Sequence, residues 1–90
     1  MSALHVATDS AEIDSLARDL EIARSSAATA LVDLTGARLR VLGVSDTPDG
    51  ARGAALNAVG LAVAAVRSLE TRLADRAAAL REANRVYTAA

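Results

Sequence analysis

Residues Thr47 to Ala90 read TPDGARGAALNAVGLAVAAVRSLETRLADRAAALREANRVYTAA, and this half of the chain decides the fold. No proline comes after Pro48 and no glycine after Gly60. Thr47, Pro48 and Asp49 read as a helix start: an N-cap hydroxyl, a proline at the first helical position and an acid in the first turn. Beyond Asp49 the chain is rich in Ala, Leu, Arg and Glu, all good helix formers. The reading is a single helix over about 48–88, on the order of 60 Å long.

That helix carries two apolar faces. Leu56, Val59, Val63, Val66, Leu73, Ala77, Leu80 and Tyr87 recur at steps of three, four and seven, a seam of mostly large side chains. Gly50, Gly53, Asn57, Gly60 and Ala64 keep the same period about a quarter-turn away, a stripe of small ones. A glycine inside a helix costs roughly 1 kcal/mol against alanine, and close approach by another helix would offset it. One face can pack on the first half of the chain, which leaves the other for a partner. A GC-rich genome, which favours Gly and Ala codons, would leave the same stripe with no such meaning.

Upstream, Asp9 and Glu12 form a capping-box pattern, so a first helix is expected over about 9–42. Ile13, Leu16, Leu20, Ala23, Ala27, Leu31 and Leu34 then repeat at three and four. Asp14 and Arg18 form an i,i+4 pair in the favourable order. Residues 1–7 read as an extended lead-in. Gly36 after Thr35 is a good helix terminator, so the first helix is either continuous to Leu42 or broken at Gly36. Residues 37–44 alternate well enough to be a short strand instead, though only Leu4 to Ala7 offers a partner strand. A turn is expected at about 43–47, in the cluster Ser45, Asp46, Thr47, Pro48, Asp49 and Gly50. The short connection makes the two helices antiparallel neighbours. The expected fold is all-α: an antiparallel two-helix hairpin forming one domain over residues 1–90.

Composition argues that this hairpin does not stand alone. A domain of 90 residues buries only roughly 60–65% of its unfolded surface. Apolar residues make up 52% of the chain, but many are alanine, and Tyr87 is the only aromatic. With no cysteine, oligomerisation is the usual remedy. The expectation is pairing with itself or with a second helical-hairpin protein into a four-helix bundle. Leu56, Val59, Val63, Val66, Leu73 and Leu80 would hold it, and Gly53 and Gly60 would admit close approach.

The same composition narrows function. Ten arginines are interspersed with acids and net charge is −1, so no basic tract points to nucleic acid. The longest uncharged run, Gly53 to Val66, is too short to span a bilayer, which argues against stable membrane insertion. No signal-peptide pattern opens the chain. His5 is the only histidine and no cysteine accompanies it, so neither a metal site nor an activated serine is expected. Gly50-Ala51-Arg52-Gly53 lacks the ending of a phosphate loop. No catalytic, metal or cofactor-binding residues are assigned, and no enzyme is expected. Glu70 and Asn84 fall on or near the seam, where a polar residue either sets register or sits at the edge and reaches water.

One resemblance fits these features. The chain is an Ala-rich helical hairpin, opens on Leu4-His5-Val6 and closes its second helix on Leu80-Arg81-Glu82-Ala83-Asn84-Arg85-Val86-Tyr87. It resembles the small substrates of type VII (ESX) secretion systems of actinobacteria, and within them the EspC-like family. There the second helix closes on Leu-Arg-x-Ala-x-x-Tyr followed by an acidic signal. The related WXG-type hairpins carry Trp-x-Gly in the turn, and here the turn is Thr47-Pro48-Asp49-Gly50. The resemblance implies synthesis in the cytoplasm without a cleavable signal, and export as a folded helical pair. It makes Tyr87 the aromatic of a Tyr-x-x-x-Asp/Glu export signal read by a secretion ATPase. The chain stops at Ala90, one residue short of that acid, so the expectation is either a piece of a longer protein or a degenerate signal. The alternative, from another class, is a cytoplasmic helical adaptor or oligomerisation domain with no export role.

Overall fold

The structure, a computed structural model, describes residues 3–45 and 50–89. It contains two helices, α1 (Ala3–Leu42) and α2 (Ala51–Ala89), packed against each other as a hairpin. Among the described residues there is no strand. The rod measures 70 × 14 × 13 Å between its Cα extremes, with a radius of gyration of 20.3 Å.

The seam between the helices keeps a heptad. On α2, Arg52, Leu56, Val59, Val63, Val66, Glu70, Leu73, Ala77, Leu80, Asn84 and Tyr87 alternate steps of four and three, and all are buried or partly buried. On α1 the covered apolar positions include Val6, Ile13, Ala17, Leu20, Ala27, Leu31, Leu34 and Val41. Among the described residues, only Ala17, Ala27 and Ala77 are buried. Small side chains at the seam let two backbones approach closely, so alanine here fills the space that leucine fills in a wider bundle. The spacing of three and four alone places Leu16 and Ala23 on this face. Both are exposed, and Ala17 occupies the position between Ile13 and Leu20 instead.

The helix ends also differ from the sequence reading. α1 begins at Ala3 and not at Asp9. Nothing in residues 3–8 breaks a helix, Val6 sits one heptad before Ile13, and the Thr8 hydroxyl donates to the Leu4 carbonyl at 2.9 Å. Asp9 is therefore an interior residue, free of capping duty, and over residues 3–7 the extended lead-in is replaced by helix. Gly36 does not interrupt α1, and residues 37–42 are helical, not a strand. The true stop is Gly43, whose N–H donates to the Leu39 and Arg40 carbonyls at 3.2 Å. Gly50 has φ of 73°, outside the right-handed helical region, so α2 does not run unbroken from Pro48. Its carbonyl accepts the first helical bond, from the Ala54 N–H at 3.0 Å. The cap residues Thr47, Pro48 and Asp49 lie outside the described residues.

Candidate interaction site

The two faces expected on α2 have different fates. Leu56, Val59, Val63, Val66, Leu73 and Leu80 are partly buried, on the side turned to α1. The hairpin itself occupies the large-residue seam. The small stripe is left outside: Gly53, Asn57, Gly60 and Ala64 are exposed. A Cβ built on Gly53 or Gly60 meets no atom within 4 Å, so neither glycine serves an approach of α1. Beside this stripe, on the α1 edge, Val32 is 71% exposed and Leu39 65%. Together with Leu31, Thr35, Gly36 and Arg67 they line a shallow groove along the side of the hairpin.

The other end of the rod is polar. Arg81 reaches across from α2 and grips α1. Its Nε and Nη2 donate to the two carboxylate oxygens of Glu21 at 2.9 Å each, and Nη1 donates to Asp14 at 3.1 Å. Two parallel bonds from one guanidinium to one carboxylate fix direction as well as distance. The hydrogen bond from Arg81, and then its charge, hold the Glu21 carboxyl below its ordinary range. Asp14 also pairs with Arg18 at 3.5 Å, the expected i,i+4 contact. The Arg81 contacts are not foreseen by the sequence reading. The available signal is that Asp14 and Glu21 lie seven apart beside the seam residues Ile13 and Leu20, the flanking positions that carry interhelical charge pairs.

Tyr87 lies partly buried at the last covered seam position. Its hydroxyl donates to Asp9 Oδ2 at 2.9 Å, and His5 Nε2 lies 3.9 Å from the same oxygen. Burial, and then the Asp9 carboxylate that accepts its hydrogen bond, push the phenol above its ordinary range. The residue expected to be the aromatic of an export signal is thus also a tie between the two helix ends. Asn84, one turn earlier, is partly buried, with its side-chain oxygen enclosed and unpaired within the hairpin. At the loop end the Arg52 Nη2 donates to the Leu42 carbonyl at 2.9 Å, satisfying one of the last carbonyls of α1.

Among the described residues, no group of three or more His, Cys, Asp or Glu side chains could hold a metal ion. α2 contains an 18-residue window of mean hydropathy 1.2, long and apolar enough by length and composition to cross a membrane. These features define a class: a helical hairpin with one closed seam and one open, small-residue side. Compared with protein-family models, curated proteins and solved structures, the chain has no match.

Proposed function

We propose that this chain is a non-catalytic helical module that works by helix–helix association, as a substrate of a type VII (ESX) secretion system or the export-targeting part of one. The observation that carries the association is the open side of α2. Glycines at 53 and 60 weaken a helix that gains nothing from them within the hairpin, and a second helix lying over them would restore the loss. Pairing in this way makes a four-helix bundle. The export role rests on the resemblance to EspC-like substrates, with Tyr87 as the aromatic of the signal and a secretion ATPase as its reader.

The test uses a longer chain that supplies an acid at the fourth position after Tyr87, expressed in an actinobacterium with a type VII system. Secretion of that chain, and its loss in Tyr87→Ala with folding and pairing intact, is the expected outcome. Secretion of the variant at the unaltered level removes Tyr87 from the signal.

A second reading draws on the Tyr87–Asp9 hydrogen bond. If that tie is the whole purpose of Tyr87, the chain is a cytoplasmic adaptor or oligomerisation domain. Its fingerprint is the reverse: Tyr87→Ala loosens the helix ends and weakens pairing, and no secretion is seen with or without the acid.

A further inference from the structure

The hairpin exposes 6359 Å². A compact monomer of its 9.2 kDa would expose about 4,900 Å² by the surface–mass relation. The surplus is on the order of 1,400 Å², more than the ~800 Å² that each partner loses in a standard interface. Covering one long side would bring the molecule to the exposure of an ordinary folded protein.

The side with the most to gain is the groove edge. Along α1, Leu4, Ala11, Arg18, Ser25, Val32 and Leu39 are spaced by seven and all exposed. The adjacent row ends in Ala7 near the start of the helix and in Leu42 near its finish, both also exposed. The apolar members of this edge therefore sit at its two ends, with polar residues between. Charge is divided along the same axis. The first half of α1 carries Asp9, Glu12, Asp14, Asp19 and Glu21 against the single arginine Arg18. The second half carries Arg24, Arg38 and Arg40 against Asp33, and α2 from 51 to 69 holds Arg52 and Arg67 with no acid.

We propose that a second copy of this chain covers the groove, antiparallel, with the acidic start of its α1 lying over Val32, Leu39 and Arg67. The inference rests on the association reading and adds its partner, its face and its direction. An antiparallel twofold arrangement sets the apolar end of each edge on the apolar end of the other, Leu39 against Ala7 and Leu42 against Leu4. It also sets the acidic half of each copy on the basic half of its neighbour. A parallel pairing would instead set the acidic half of one copy beside the acidic half of the other, and the basic half beside the basic half. The contact is isologous, so one patch satisfies both copies.

The absence of native cysteine makes the geometry testable by cross-linking. In the double variant Ala7→Cys/Leu39→Cys, the two thiols of one chain lie about 48 Å apart along a single helix, far beyond disulfide reach. Any disulfide is therefore between copies. The expected result is efficient dimer formation on mild oxidation of the double variant, and none for either single variant. Self-linking of the single variants, or no link in the double variant, overturns the proposal. Mass in solution supplies the second arm. Leu39→Glu should keep its helicity and halve the mass seen by light scattering. Ile22→Glu, equally exposed at 65% but absent from the groove lining, should leave it unchanged. If Ile22→Glu also dissociates the pair, the face is wrong. A chain that is monomeric alone but pairs with a different hairpin protein refutes the second copy and leaves the association reading standing.

Discussion

The terminal half and the loop half of this rod hold the same two helices together by different means. Near the chain ends, Arg81 grips Glu21 and Asp14, and Tyr87 is tied to Asp9. These are directional contacts that fix one helix against the other in register. Near the loop, a guanidinium bond from Arg52 to the Leu42 carbonyl crosses between the helices, while Val32 and Leu39 stand in solvent. Hydrophobic contact without polar partners tolerates sliding, because apolar surface has no preferred direction. The register of the hairpin is therefore set at the polar end, and the other end is left free to present an apolar side. A protein meant only to be a stable hairpin would gain by distributing both kinds of contact evenly.

The largest effect that sharpens this comparison comes from the shared seam. Ala17 is fully buried, so Ala17→Leu overpacks it and should destabilise by about 1–3 kcal/mol. In a chain of this size that lowers the thermal midpoint by roughly 4–8 °C per kcal/mol. An unchanged midpoint would mean that the helices separate easily even at the polar end.

The loop half should respond in the opposite direction. A methyl at Gly60 meets no atom within 4 Å, so Gly60→Ala should raise stability by up to about 1 kcal/mol through helix propensity. Gly60→Leu should also fold. A drop in the thermal midpoint of either variant under conditions where the chain is monomeric would show that α1 approaches the stripe closely after all.

Charge at the polar end gives a smaller, pH-dependent effect. Because Arg81 holds Glu21 below its ordinary value of 4.5, that carboxylate contributes stability above pH 4.5 and loses it as pH falls through the lower folded value. Both groups are exposed, so solvent and salt screen the contribution. In Arg81→Met the acid limb of the stability curve should flatten. An identical acid limb in both proteins would mean that the Arg81–Glu21 pair contributes nothing to folding.

The smallest expected effect is that of Tyr87→Phe, which keeps the ring and removes the bond to Asp9. The phenol is raised above its ordinary value of 10.0, so its contribution is full below pH 10 and disappears as pH rises through the folded value. Tyr87→Phe should show no such alkaline loss. Thermal midpoints of the two proteins compared on either side of pH 10 decide this.

How far the sequence foretells this arrangement depends on residue size. The α2 seam is legible because Leu56, Val59, Val63, Val66, Leu73 and Leu80 are large and evenly spaced. The α1 seam is misread at Leu16 and Ala23, because steps of three and four from Ile13 admit either Leu16 or Ala17, and the larger residue is the natural choice. Close helix packing reverses that choice, and the smaller residue is the buried one. The start of α1 is missed for a related reason. A capping box is a local pattern, and Asp9 with Glu12 satisfies it whether or not the helix has already begun. Its acid serves Tyr87, a partner 78 positions away, which no local pattern records. The open groove is half legible: the glycine stripe stands out, but Val32 and Leu39 lie off every seam and acquire meaning only once α2 is laid beside them.

The long, thin outline has a hydrodynamic consequence. A radius of gyration of 20.3 Å is that of a globular chain of about 350 residues. Drag depends on shape, so a single hairpin migrates through a sizing column well ahead of a globular protein of equal mass. Elution volume would count one rod as several. Two rods lying side by side gain mass with little gain in length, so pairing shifts scattering intensity far more than it shifts elution.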